Sequence, residues 1–333
     1  MTKVKYVEAI RQAHIYLLER HPNVFVIGQG LWSPWYVGNS MRDLDQMFGR
    51  DRIIDSPVSE AACTGLAVGA ALCGYRPIVL HPRMDFMVLA CDAIVDGAAK
   101  WSYMFGGRAR PAVTIRSIIN RGGEQGAQHS QALHSWFAHV PGLRVVMPAT
   151  ASDARDLLIA AVLCDDPVLY IDDRWLYEIE EEMPPVTDVA LADAGPQVRM
   201  AGRDVTLVGA GWSYHLAEEA ARRLAESGIS AETVDLRVLN PFAAGPIVES
   251  VRKTGRMIVI DGGWKTCGFA AEVIASVSER LPGRAWRAAP QRITLPDAPA
   301  PSSRSLEQAY YPTADIVVAA AHKLLGGAPS PRG

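Results

Sequence analysis

The chain is poor in the features that would tie it to nucleic acid, a membrane or a secreted disulfide scaffold. No block of five or six Lys or Arg occurs, and 33 Lys+Arg against 36 Asp+Glu leaves a net charge of −3. A protein with no basic field has nothing to draw a polyanion towards it, so a nucleic-acid partner is excluded. No run of about 18 uncharged apolar residues is present to span a bilayer, and the N-terminus carries charges where a signal peptide needs an apolar core. The chain therefore reads as cytoplasmic, with no membrane partner. The five cysteines (Cys63, Cys73, Cys91, Cys164, Cys267) are odd in number and never form a C-x-x-C, which argues for free thiols over a disulfide framework or a zinc site. Also missing are G-x-x-x-x-G-K-[ST], G-x-S-x-G and H-E-x-x-H, so P-loop, α/β-hydrolase and zincin chemistry have no foothold.

What is present is alternation. β-branched runs at 24–27, 77–80, 112–115, 143–147 and 168–171 are separated by helical periodicity at 4–20, 59–74, 85–101, 129–138 and 151–163. Continuous apolar strands joined by helices predict a parallel sheet covered on both faces. An acidic, proline-bearing stretch follows Ile171, and the alternation restarts near Arg203, with strands at 205–208, 231–235 and 257–260 and helices at 212–227, 243–253, 267–281 and 304–324. The expected organisation is a first domain over 1–186, a linker over 187–202, a smaller α/β domain over 203–325 and a disordered tail over 326–333.

Two strands end in Gly-x-Gly, at Gly28-Gln29-Gly30 and Gly209-Ala210-Gly211, but the third glycine of a dinucleotide fingerprint is replaced by Ser33 and Tyr214. That weakens a nicotinamide oxidoreductase reading. Two segments stand out instead. Glu60 opens a helix made almost wholly of small residues, where it is either a charge serving the helix dipole or a buried catalytic acid. The glycine-rich stretch 122–126 leads to His129, which reads as a loop or capping histidine or as an active-site group.

Taken with further segments, these resemble the β subunits of the thiamine-diphosphate-dependent 2-oxoacid dehydrogenases, which act on pyruvate, branched-chain 2-oxoacids or acetoin and form a branch of the transketolase superfamily. The likeness runs from Val24 to about Ala320. It rests on Asp55-Ser-Pro-Val-Ser-Glu60, Gly65-Leu-Ala-Val-Gly-Ala-Ala71, Gly126-Ala-Gln-His-Ser-Gln131, the stretch from Trp136 to Pro148, Asp235-Leu-Arg-Val-Leu-Asn-Pro241, Asp261-Gly-Gly-Trp264 and Leu306-Glu-Gln-Ala-Tyr310. The resemblance implies an α/β fold with a parallel-sheet pyrimidine-binding domain and a smaller transketolase C-terminal-type domain. It implies a catalytic role for Glu60, matching the carboxylate that shares a proton with the aminopyrimidine ring, and for His129, matching the histidine at the active-site mouth. Phe86 matches the aromatic that stacks on the pyrimidine, though plain core is its alternative, and Val58 lies where an apolar residue lines the same pocket.

The family's Gly-Asp-Gly metal motif is absent, and neither Asp96-Gly97 nor Asp261-Gly262 has the preceding glycine. The resemblance therefore implies that this chain holds no metal and only the pyrimidine half of thiamine diphosphate. A separate α subunit would hold Mg²⁺ and the diphosphate in an α2β2 assembly, with a second β subunit and, for the dehydrogenase activity, a lipoyl acyltransferase as further partners. The activity implied is decarboxylation of a 2-oxoacid with acyl transfer to a lipoyl domain. The alternatives are a split transketolase or acyloin-forming enzyme with an aldehyde or sugar acceptor, and a non-catalytic binding paralogue. Two departures mark the substrate side. The family's acidic, aromatic segment after the strand at 77–80 is replaced by Leu80-His81-Pro82-Arg83-Met84, so His81 and Arg83 are candidate substrate residues together with His129. Arg83 would bind a phosphate or second carboxylate, or else pair with Asp85 or the α subunit. Asn120-Arg121-Gly-Gly-Glu124 adds charge to the loop around the channel.

Overall fold

The computed structural model describes residues 3–186 and 190–326, which fall into two compact units. The first unit comprises Met1–Arg121, Gln128–Ala194 and Val238–Pro241. In chain order its described elements are β1 (Lys3–Lys5), α1 (Tyr6–Arg20), β2 (Val24–Gly28), α2 (Leu44–Phe48), β3 (Ile53–Asp55), α3 (Glu60–Leu72), β4 (Arg76–His81), α4 (Met84–Met87), α5 (Ala99–Met104), β5 (Thr114–Ile119), α6 (His134–Ala138), β6 (Arg144–Val146), α7 (Ala151–Leu163), β7 (Val168–Asp173) and β8 (Glu180–Glu182). The second unit, Gly122–Ala127 with Gly195–Arg237 and Phe242 onwards, holds β9 (Gln197–Met200), β10 (Val205–Gly209), α8 (Trp212–Glu226) and β11 (Ala231–Asp235). A short strand β12 (Val238–Asn240) returns to the first unit, after which α9 (Gly245–Thr254), β13 (Met257–Trp264), α10 (Phe269–Ser278), β14 (Gln291–Leu295), α11 (Arg304–Tyr310) and α12 (Ala314–Leu324) complete the second. No helix among the described residues is long and apolar enough to cross a membrane.

The first unit is built on a seven-stranded sheet of order β12-β6-β7-β5-β4-β2-β3, parallel except for β12. β4, β5 and β7 are buried along almost their full length, as expected of strands covered on both faces. α1 presents Tyr6, Ile10, Ala13 and Leu17 at helical spacing and packs this stripe on α7. α7 starts at Thr150, whose hydroxyl accepts the Asp153 N–H at 3.2 Å. The second unit is a five-stranded sheet of order β14-β13-β10-β11-β9, in which only β9 runs antiparallel. Its core joins Val205, Leu207, Leu216, Leu224, Ile258, Val317 and Ala321. Two of the motifs noted in the sequence meet there: the indole N–H of Trp264 donates to Tyr310 Oη at 3.1 Å and to the Ala298 carbonyl at 2.9 Å.

The structure departs from the sequence reading in four places. Strand β9 lies inside the stretch 187–202 expected as linker, because its backbone completes the edge beside β11. The helix expected over 85–101 is divided into α4, a 3₁₀ turn at Val88–Ala90, a π-helical turn at Ala93–Ala98 and α5. The helix expected over 129–138 is confined to α6, because upstream N–H groups are taken by another segment: Gln131 donates to Asp85 Oδ1 at 3.0 Å and Leu133 to Met84 Sδ at 3.1 Å. The last helix breaks at Tyr311, which precedes Pro312 and takes extended angles (φ −87°, ψ 137°) that the proline imposes. Of the tail expected to be disordered, all but Gly326 lies outside the described residues. The cysteines of the described chain are all free.

Candidate active site

The site is assembled at the carboxyl ends of β2, β3, β4, β5 and β7, where open parallel sheets bind ligands. Gly28 ends β2. A side chain there is excluded by the neighbouring strand, since its Cβ would stand 2.5 Å from the Leu80 carbonyl oxygen. The following turn is held by Asp55 at the end of β3, whose Oδ1 accepts the Gly30 N–H at 2.6 Å and the Leu31 N–H at 3.2 Å. Gln29 donates to Tyr36 Oη at 3.0 Å. Gly30 has φ +73° and lies against the Tyr36 ring, so both its conformation and its lack of a side chain are required.

Glu60 begins α3 and lines a small cleft with Gly28, Gln29, Ser56, Pro57, Cys63, Leu80 and His81. Its carboxylate has no hydrogen-bond or ion-pair partner among the described residues. Val58 stands 68% exposed beside it. Behind Glu60, Thr64 Oγ1 donates to the Glu60 carbonyl at 2.8 Å and lies 3.1 Å from His81 Nε2. His81 is thus buried beneath α3, on the inner wall of the same cleft. Burial lowers its pKa to about 4, so it is a neutral imidazole at physiological pH. Through Thr64 it also braces the first turn of the helix that carries Glu60.

Phe86 projects from α4 and is 36% exposed, which distinguishes it from the plain core residue that its neighbours Met84 and Met87 are. The His129 ring meets it edge-on, with centroids 5.2 Å apart at 80°. His129 sits on the loop before α6 and not on the helix expected to carry it. The Asp85–Gln131 hydrogen bond ties the two segments together, and burial raises the pKa of the Asp85 carboxyl. Glu60, Val58, Phe86 and His129 thus all lie at one edge of one sheet.

Arg83 is half-buried and faces the side-chain amide of Asn120, whose oxygen accepts from the guanidinium once the amide is turned to satisfy both groups. It makes no ion pair with Asp85 within 4 Å. Beneath it lie two buried arginine–carboxylate pairs. Arg116 in β5 grips Asp172 bidentately at 3.1 and 2.8 Å and donates to Ser40 Oγ at 2.9 Å, while Tyr177 Oη donates to the same carboxylate at 2.5 Å. Arg121 stands 2.7 Å from Asp173 under the Trp175 ring. The expectation that Arg121 charges the channel loop is corrected by this pairing, because burial forces it against a carboxylate. Glu124, in the second unit, is likewise paired with Arg304 at 3.0 Å.

Sequence reasoning singled out none of Thr64, Tyr36 and Arg174, and it quoted Asp55 and Asn120 only within longer motifs, without a role of their own. The one available signal was position: each of Asp55, Asn120 and Arg174 is a polar residue at or just past the end of an apolar strand. No group of three or more His, Cys, Asp or Glu side chains able to hold a metal ion occurs among the described residues.

The cleft residues fit the pyrimidine half of thiamine diphosphate. The cleft offers an unpartnered carboxylate for a ring nitrogen and a strand end stripped of Cβ, and Phe86 and Val58, on the segments that adjoin its lining, offer an exposed aromatic face and an apolar side chain. Beyond it, α3 leaves Ala61, Ala62, Gly65, Leu66 and Gly69 exposed, and a Cβ built on Gly65 or Gly69 meets nothing within 4 Å.

Comparison with known proteins finds the transketolase pyrimidine-binding domain over residues 2–178 and the transketolase C-terminal domain over 195–317. The acetoin:2,6-dichlorophenolindophenol oxidoreductase subunit beta of Cupriavidus necator is 42% identical over 277 residues, covering 83% of this chain and 81% of its own. Its Bacillus subtilis counterpart is 36% identical over 96% of both chains. The pyruvate dehydrogenase E1 component subunit beta of Rhizobium meliloti is 34% identical, covering 93% of this chain and 67% of that one. Among solved structures, a split-gene transketolase described as an inactive beta4 tetramer superposes with a TM-score of 0.79 at 24% identity, covering 97% of this chain and 99% of that one. At that identity the superposition speaks for the fold.

Proposed function

Because the chain belongs to the transketolase-type family that includes the β subunits of acetoin and pyruvate dehydrogenases, we propose that it is the β subunit of a two-chain, thiamine-diphosphate-dependent enzyme of the 2-oxoacid dehydrogenase type. Its substrate is a 2-oxoacid or a vicinal hydroxyketone of the acetoin kind, cleaved beside its carbonyl. The observation that carries this reading is the unpartnered Glu60 carboxylate at the start of α3, with the exposed Phe86 and His129 at the same sheet edge.

When bound, thiamine diphosphate supplies a nucleophilic carbon and an electron sink. Glu60 would hold a proton against the pyrimidine nitrogen and so select the imino tautomer of the ring. Val58 and Phe86 would fix the ring between apolar surfaces and exclude water from that hydrogen bond. Asp55, through the Gly30 and Leu31 N–H groups, keeps the β2 turn clear of the ring. His129, braced against the edge of Phe86, would orient the substrate or deliver a proton to the departing group. The diphosphate and its Mg²⁺ would be held by an α subunit.

The exposed surface of the first unit supports such a partner. Val58, Leu66, Leu89, Tyr103, Met104 and Phe105 are between 47 and 90% exposed, an apolar display expected of an interface. The proposed assembly is α2β2 in the cytoplasm, with a lipoyl acyltransferase as acyl acceptor.

The test is to co-produce the chain with a candidate α chain, supply thiamine diphosphate and Mg²⁺, and offer 2-oxoacids, acetoin and ketose phosphates. Reduction of an artificial electron acceptor by a 2-oxoacid or acetoin is the expected result. Ketol transfer without that oxidation would replace it with a split transketolase, and failure to bind the cofactor in the assembled complex would overturn both.

A further inference from the structure

Three neighbouring strands of the first unit, β4, β5 and β7, end at one edge, and an arginine follows each: Arg83 two residues past His81, Arg121 two past Ile119, and Arg174 directly after Asp173. Arg121 is neutralised by Asp173, and Arg116 inside β5 by Asp172. The other two are not. Arg83 and Arg174 are each half-buried, and among the described residues neither has a carboxylate within 4 Å. The side chain that faces Arg83 is the neutral amide of Asn120, which orients a guanidinium and leaves its charge intact. Asp85, the nearest acidic residue in sequence, has its Oδ1 occupied by the Gln131 N–H, and its buried Oδ2, which has no hydrogen-bond partner, lies beyond 4 Å from the Arg83 guanidinium.

Burial and the charge of Arg174 lower the pKa of Arg83, and the weaker opposing pull of Tyr36 and Asp85 does not cancel them, so the two cations share one field. Two half-buried guanidinium groups that repel each other are an unfavourable arrangement when empty. It becomes favourable when an anion enters between them, and a guanidinium fork matches carboxylate and phosphate geometry. Phe86, three residues after Arg83, carries the His129 ring against its edge, so this charge stands beside the segment that bears both rings.

We propose that Arg83 and Arg174 form an anion subsite that takes a carboxylate or phosphate carried by the substrate at a distance from its reacting carbonyl. This deepens the function proposed above and rests on it for the position of the substrate. It predicts a substrate with a distal charge, unlike acetoin, which has none.

The experiment measures equilibrium binding by calorimetry to the α-chain complex, using ligand pairs that differ in the distal group. 2-Oxoglutarate against 2-oxovalerate tests a carboxylate, and glyceraldehyde 3-phosphate against glyceraldehyde tests a phosphate. The wild-type complex is expected to favour the charged member of one pair by about tenfold or more, the size expected of a charge-assisted bidentate contact. That preference should largely vanish in Arg83→Gln and in Arg174→Gln and be partly kept in Arg83→Lys. No preference in either pair, or a preference that survives both Gln variants, overturns the subsite. Loss of complex assembly in the variants with the preference intact would assign the arginines to the α interface instead, and also overturns it. Binding is read without turnover, so discrimination without any oxidation refutes the enzymatic reading alone, and oxidation without discrimination refutes the subsite alone.

Discussion

At the scale of single residues, the site depends on which polar groups are left without partners and which are not. Glu60 is free to meet a ligand. Glu60→Gln keeps the shape of the cleft and removes the proton-sharing carboxylate, so turnover of the assembled complex should fall by about 100-fold or more with its thermal unfolding unchanged. Near-wild-type turnover would remove Glu60 from the mechanism. His81, by contrast, is committed to Thr64 and held neutral. Its pKa of about 4 in the folded chain, against 6.5 when unfolded, means the unfolded state binds more protons between those values. The stability it confers is present above pH 6.5 and lost as pH falls towards 4. His14, lowered to about 3 by burial and by the Arg116 charge, adds to the same loss. His81→Gln should therefore flatten the decline of urea midpoints measured between pH 7 and pH 4. An unaltered slope would show that His81 is not held neutral.

At the scale of elements, two features fix where the strand ends stand. The Arg116–Asp172 pair crosses from β5 to β7 and is fully buried, with Ser40 and Tyr177 completing it. Asp172→Asn leaves an uncompensated cation in the core, and the expected cost is about 3–5 kcal/mol by denaturant unfolding. A loss below about 1 kcal/mol would mean that water or a neighbour replaces the carboxylate. The cap on α7 is a smaller device: Thr150→Ala removes the bond to the Asp153 N–H, with an expected loss of about 1 kcal/mol, visible as a lower urea midpoint at constant slope. Several elements could be read directly from the chain. α7 occupies the 151–163 expected from periodicity, because both its cap and its apolar pattern are local signals. The helix around His129 could not be read in this way, because its N–H groups are drawn to Asp85 and Met84, which lie more than forty residues away.

At the scale of the whole molecule, the first unit displays an apolar surface that its own chain does not cover. The exposed small residues of α3 and the nearby Leu66 invite the close approach of another backbone. Leu66→Arg should reduce co-elution with the α chain in size-exclusion chromatography while leaving the far-ultraviolet dichroism and the melt of the isolated chain in place. Undiminished association would put the α contact elsewhere.

The sequence by itself determined the parallel α/β class, the restart of alternation near Arg203 and the two segments around Glu60 and His129. Those signals are carried by hydrophobic periodicity and by residues adjacent in the chain. Only the tertiary structure decided that His81 turns inward to Thr64, that Arg121 is neutralised by Asp173, and that Arg83 and Arg174 are left without a carboxylate. Whether a charged side chain is paired depends on which strands lie side by side. The order β7-β5-β4 brings together residues some ninety positions apart, and no local pattern encodes which of them meet.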